Sequence, residues 1–239
     1  MILGMIYISP PFGNYISYKN CKRIKGTFTW EKRRGLIKQC IKTIRPVKDG
    51  WRNAIGFRNP GMSNIKRFSG SMRRGRDCYS IAALDSNWSP FITQIPHGLP
   101  IEINVGCPNV GSYTISDDDI RLFVKHFSEL QVKLSPTVDL DYIKRLHSLG
   151  VRNFHLSNTI PTDRGGISGY PLKRINLTLV EKTAAMNLEK LHIIAGGGIY
   201  RPQDVIDYRN AGTNSYSLST IWFTPWRVPS VYDEIAFRQ

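Results

Sequence analysis

Residues 101–158 read IEINVGCPNVGSYTISDDDIRLFVKHFSELQVKLSPTVDLDYIKRLHSLGVRNFHLSN. Three short β-branched runs stand out in this stretch, Ile101 to Gly106, Gln131 to Ser135 and Asn153 to Asn158. Between the first two, Ile120, Phe123, Val124, Phe127 and Leu130 share one helical face behind the capping box Ser116 to Asp119. Asp139 to Leu149 predicts a second helix, closed by Gly150. Strand, helix, strand, helix, strand is the pattern of a parallel sheet. Working outward, the same alternation predicts strands at Ile6 to Ser9, Gln39 to Ile44, Tyr79 to Leu84, His192 to Ala195 and Ser215 to Ser219. Weaker helical patterns lie at Trp30 to Lys38 and Asn87 to Ile95, and another starts at Pro202 and stops before Gly212. Asn59 to Arg76 reads as a basic loop rich in Gly and Ser. Eight βα units in 239 residues fit an α/β protein of the (β/α)8 TIM-barrel type, whose usual length is about 250 residues. An open doubly wound sheet would want GxGxxG after its first strand, where Ser9 to Gly13 reads SPPFG. No internal repeat or linker divides the chain, so one domain over 1–239 is the expectation.

With 41% hydrophobic residues the chain can bury a sizeable core. Met1 to Ile8 is broken by Gly4 and stopped by Pro10 and Pro11, far short of the roughly 20 residues that span a bilayer. The net charge of +15 is concentrated at one end: residues 1–76 carry 18 Lys and Arg against Glu31 and Asp49, and the remainder is near neutral. Such a segment attracts anions, whether nucleic acid, acidic lipid or a phosphorylated small molecule, or serves only solubility. Cys21, Cys40, Cys78 and Cys107 form no CxxC pair and have no nearby His at ligand spacing, so no metal site is expected. So few cysteines suit a reducing cytoplasm.

In a barrel the chemistry lies on the loops after the strands. Asn104-Val105-Gly106-Cys107-Pro108-Asn109 places a thiol in such a turn, flanked by two amides. A thiol with a pKa of about 8.5 can act as a proton acceptor there, although a tight turn that happens to contain Cys reads equally well. Lys133 lies inside an otherwise apolar strand, where an ammonium demands an anionic partner, a Schiff-base role or a cofactor. The turns Ala195 to Ile199 and Ser217 to Thr220 follow the last two strands, where this fold usually cradles a phosphate on bare backbone N–H groups; tight βα turns alone would also use glycine.

Taken in order, these stretches resemble the dihydroorotate dehydrogenase family of FMN barrels. The likeness rests on FGN at Phe12 to Asn14, IKTIRP at Ile41 to Pro46, RNAIGFRNPG at Arg52 to Gly61, INVGCPN at Ile103 to Asn109 and VKLSP at Val132 to Pro136. It continues through SNT at Ser157 to Thr159, GGISGYPLK at Gly165 to Lys173, IIAGGGI at Ile193 to Ile199 and Ser219-Thr220. The resemblance implies oxidation of dihydroorotate to orotate in pyrimidine biosynthesis, with Cys107 as the base that takes the C5 proton while hydride leaves C6 for flavin N5. It assigns orotate contacts to Lys42, Asn53, Gly56, Phe57, Asn104, Asn109, Asn158 and Thr159. It assigns FMN contacts to Ser9, Lys42, Thr43, Lys133, Ser168, Gly169, Gly197, Gly198, Ser219 and Thr220. Against the family pattern, Pro10 and Pro11 replace small residues and Ser219 stands where Gly is common. The first hairpin below the barrel, much of the insertion after the second strand and most of the C-terminal helix are expected to be missing.

Two other readings stay open at this point. A tRNA-dihydrouridine synthase-like flavoenzyme also carries Cys in an NxGCP turn, but VKLSP and SNTIP differ from its strand ends. The other is a non-catalytic basic barrel that binds polyanions. The expected partner is the small-molecule substrate, with neither membrane nor nucleic acid; a homodimer and the electron acceptor are left open.

Overall fold

The computed structural model describes residues 4–63, 77–106 and 114–237. Cys107 and Asn109, and most of the expected basic loop, lie outside the described residues. Eight parallel strands close a barrel: β1 (Ile6–Ile8), β2 (Lys22–Phe28), β5 (Asp77–Ile81), β6 (Ile101–Asn104), β7 (Leu130–Leu134), β8 (Asn153–Leu156), β11 (His192–Gly196) and β12 (Ser215–Leu218). The ring closes because β1 pairs with β12 on one side and β2 on the other. A separate antiparallel sheet, built from β3 (Arg45–Val47), β4 (Gly50–Asn53), β9 (Ile160–Thr162) and β10 (Gly165–Gly169), comes from segments that follow β2 and β8. Trp51 on β4 stacks on Phe223 in the segment after β12, with ring centroids 4.3 Å apart, which ties this sheet to the barrel.

The helices are α1 (Leu36–Thr43), α2 (Ser89–Gln94), α3 (Asp117–His126), α4 (Leu140–Ser148), α5 (Leu172–Ala184), α6 (Pro202–Asn210) and α7 (Val228–Phe237). Outward strand residues such as Ile101, Ile103 and Val132 pack with helix faces such as Ile120 and Phe123 of α3 and Ile143 and Leu146 of α4. The expected capping box forms, Ser116 Oγ accepting from Asp119 N at 3.1 Å, and Asp139 caps the next helix by accepting from Asp141 N at 3.0 Å.

Four expectations need correction. The second barrel strand is Lys22–Phe28, and Gln39 to Ile44 is helical up to Thr43. The β-branched run of α1 is held in a helix because Gly35 opens it in the left-handed region and Ile44 N donates to Cys40 O at 3.0 Å. Most of Trp30 to Lys38 is not helical; Arg33 there bridges to Asn59. A helix does close the described chain, because α7 buries Val228, Val231 and Ile235 against the core.

The strand period of two turns the opposite residues inward, where an apolar layer of Tyr7, Ile24, Cys78 and Ile194 is joined by polar groups on β6, β7 and β8. Glu102 and His155 are fully buried and bonded to each other, His155 Nδ1 to Glu102 Oε2 at 2.6 Å; Gln131 Nε2 donates to the same oxygen at 2.6 Å. Burial alone would raise the Glu102 carboxyl, but the hydrogen bond from His155 and the field of Lys133 hold it well below the usual carboxylate range. Burial pushes the His155 imidazole down despite Glu102, and Lys133 adds to that, so the ring is neutral at neutral pH.

Two outcomes follow from this packing. Buried Asp77 holds Arg23 Nε at 2.7 Å and Lys25 Nζ at 2.8 Å, binding β2 to β5. Asp77→Asn is expected to cost about 2 kcal/mol in denaturant unfolding, less than a fully buried pair because both cations are partly exposed. For His155, a folded pKa depressed below about 6.5 means stability present above that pH and lost beneath it. The denaturant midpoint should therefore fall between pH 7 and pH 5, the His155 share reaching at most about 2 kcal/mol. His155→Gln should flatten that fall.

Candidate active site

Of the residues singled out from the sequence, Ser9, Asn104, Lys133, Asn158, Thr159, Gly197, Gly198 and Ser219 lie at or just after the carboxyl ends of barrel strands. Asn104 ends β6 and is buried; Asn158, just after β8, donates to Asn104 Oδ1 at 3.3 Å. Asn104 Nδ2 in turn donates to Thr27 Oγ1 at 3.1 Å, and the Thr27 and Ser80 hydroxyls lie 3.0 Å apart. One chain of hydrogen bonds therefore runs from the mouth of the barrel down to Ser80 on β5, which lies opposite Glu102 of β6 in the strand register. Thr159 Oγ1 is buried beside Asn158 with no partner, and Thr159 N caps Asn158 Oδ1 at 3.0 Å.

Lys133 lies level with Asn104 and His155 in the strand register and is only 9% exposed. Among the described residues its ammonium makes no hydrogen bond and has no carboxylate within 4.0 Å. A buried cation left in this state is suited to an electron-rich ligand at the mouth.

The turn after β11 is built for close approach. Gly197 and Gly198 have φ of +90° and +72°, and a Cβ on either would lie 2.5 Å from Asn176 Nδ2 or 2.7 Å from Lys173 Cβ. Helices α5 and α6 hold this turn in place. Asn176 Nδ2 donates to Gly196 O at 2.7 Å, Tyr208 OH donates to Gly197 O at 2.8 Å, and Lys173 is locked by Asp204 and Asp207, each at 2.6 Å. Among the described residues, the backbone N–H groups of Gly197, Gly198 and Ser219 donate to no other backbone group. Bare N–H groups on a rigid glycine turn suit a phosphate. Ser9 and Ser217 hydroxyls bond each other beneath it, and Ser219 Oγ donates to Pro10 O at 3.3 Å. Ser168 Oγ donates to Trp51 O at 3.1 Å, and Gly169 has φ +99° against Gly50.

The remaining sequence-derived residues lie on the covering sheet and α1. Asn53 pairs with Gly166, and Gly56 and Phe57 follow with positive φ. Thr43 accepts from Ala54 N at 3.1 Å and donates to Gln39 O at 2.8 Å. Lys42 is exposed in the last turn of α1 and bonds none of the other site residues. Sequence reasoning missed Glu102, His155 and Gln131; their signal was the inward phase of IEIN, LQVKL and NFHL. It also missed a cavity of about 520 Å³ lined by Trp51, Tyr170, Tyr200, Arg201 and Arg227, next to the glycine turn. The Tyr200 hydroxyl would lie 3.2 Å from a Cβ at Gly169.

No described helix is long and apolar enough to cross a membrane. The family model described as dihydroorotate dehydrogenase matches residues 24–238. The catalytic subunits of dihydroorotate dehydrogenase B (NAD(+)) from Bacillus mycoides (strain KBAB4) and Bacillus cereus (strain B4264) are 28% and 27% identical over 226 residues, covering 80% of this chain and 72% of each relative. The fold is shared with ligand-free DHODH from Eimeria tenella at a TM-score of 0.70 and 18% identity, over 96% of this chain and 82% of that one. The same protein in complex with ferulenol gives 0.70 and 17%, over 96% and 80%. The chain belongs to the dihydroorotate dehydrogenase family, flavin-dependent oxidoreductases that act on CH–CH donors.

Proposed function

We propose that the flavin is FMN and that Cys107 is the base in the oxidation of dihydroorotate to orotate. The observation that carries the reading is the placement, on one barrel face, of the unpaired Lys133 ammonium, the bare Gly197–Gly198 turn and the Asn104–Asn158 pair. A terminal phosphate dianion fits the glycine turn with Ser219 and Thr220, and Ser9, Thr43, Ser168 and Gly169 are the further residues that would hold the flavin. When bound, FMN would supply the acceptor for the hydride from C6 of the substrate. Asn104, Asn109, Asn158 and Thr159 then match the donor and acceptor edge of a pyrimidine, with Asn53, Gly56 and Phe57 covering it. Lys42 supplies a cation for the substrate carboxylate or the flavin. As the hydride leaves C6, the C5 proton passes to Cys107 Sγ, the C5–C6 double bond forms, and Lys133 offsets the negative charge gained by the reduced ring. The free thiols of Cys21, Cys40 and Cys78 suit a reducing, cytoplasmic setting.

Mass analysis of cofactor released from the holoprotein is expected to give FMN. FAD, or no flavin after reconstitution, overturns that assignment. Cys107→Ala should keep its flavin and bind orotate, yet bleach with dihydroorotate about 10²- to 10⁴-fold more slowly in rapid mixing. Cys107→Ser should recover part of the rate only at higher pH, the hydroxyl being the weaker acid. An alanine variant that bleaches at the wild-type rate removes Cys107 from the mechanism.

A further inference from the structure

The catalytic reading uses Lys133 but leaves the fully buried Glu102–His155 pair beneath it without a task. Lys133 is on β7, in register with Asn104 of β6 and His155 of β8, and no described carboxylate bonds it. An ammonium in so dry a place is costly unless a fixed negative charge compensates it. The other ionisable groups inside the barrel do not supply that charge. Lys22 on β2 is taken by Glu129 at 2.5 Å, burial keeps Tyr7 on β1 and Cys78 on β5 protonated and neutral, and burial keeps His192 on β11 uncharged. Glu102 remains. One oxygen of its carboxylate is held by two donors from two strands, His155 and Gln131, and its interaction with Lys133 acts through the field rather than through a bond.

We infer that Glu102, aligned by His155, is the buried counter-charge of the Lys133 ammonium at the floor of the flavin site, which makes Glu102 and His155 positioning residues for that cation. The inference rests on the reading above that flavin occupies this mouth beside Lys133. His155 suits the task because a neutral ring donates from Nδ1 without cancelling the carboxylate charge, and its Nε2 carries no competing partner. Ser80, opposite Glu102 in the strand register, connects through Thr27 and Asn104 to Asn158, so the substrate amides and the cation rest on neighbouring strands of one support.

Sulfite affinity of the FMN-loaded protein reads this charge, because sulfite adds at flavin N5 and the adduct is stabilised by a cation near N1. For Glu102→Gln, the dissociation constant relative to wild type is expected to stay within about twofold at pH 6 and to be about tenfold weaker or more at pH 9. Lys133→Met should be weaker than wild type at both pH values. A Glu102→Gln ratio that is the same at both pH values overturns the inference. If that variant does not fold, His155→Gln, which keeps an N–H donor to the carboxylate, should follow wild type, whereas His155→Leu should show the pH-dependent loss. Identical behaviour of those two variants also overturns it. A wild-type protein that takes up no FMN overturns the flavin reading together with this one; FMN uptake with a flat ratio overturns this one alone.

Discussion

The pairing of three residues, Ile6 to Ile8, with β12 on one side and β2 on the other is the contact on which the rest of the molecule depends. Without it the sheet has two open edges, and the loops after β1 and β12 have no reason to meet. With it, Ser9, Ser217 and Ser219 are drawn together beside the glycine turn of β11, and every strand delivers its carboxyl end to one mouth. Closure also sets the phase of each strand. Once Ile101, Ile103 and Val132 face the helices, Glu102, Asn104 and Lys133 have only the barrel interior to occupy.

That interior trades stability for chemistry. A barrel filled with branched apolar side chains would hold together without titratable groups, whereas this one carries a carboxylate, an imidazole and an ammonium within two layers. The outer shell compensates: Phe123, Phe154, Trp88 and Tyr208 are fully buried between strands and helices. The glycine turn follows the same division of labour. Its backbone is left bare toward the mouth and is fastened from behind by Asn176, Tyr208 and the Lys173–Asp204–Asp207 cluster.

What was legible in the sequence was what local pattern controls. Seven of the barrel strands, the cap at Ser116, and the helix ending before Gly212 follow from periodicity and end signals, and the order of strand-end motifs pointed to the family. Strand β2 was not legible because KRIKGTF looks like a solvated basic run. Its outward charges are neutralised by Asp77, some fifty residues on, and nothing local announces that partner. Helix α1 was read as a strand because Ile41, Thr43 and Ile44 favour one, and its Gly35 start and Thr43 hydroxyl bond to Gln39 outweigh that preference. The Glu102–His155 pair joins residues 53 apart through strand register, which composition and spacing do not contain.

The central claim is that this barrel mouth binds FMN and oxidises dihydroorotate. Anaerobic addition of dihydroorotate to the FMN-loaded protein tests it most directly, with flavin absorbance and orotate followed together. The account predicts loss of the oxidised flavin band with one orotate formed for each flavin reduced. An oxidised spectrum that persists while FMN stays bound, with no orotate formed, would contradict it.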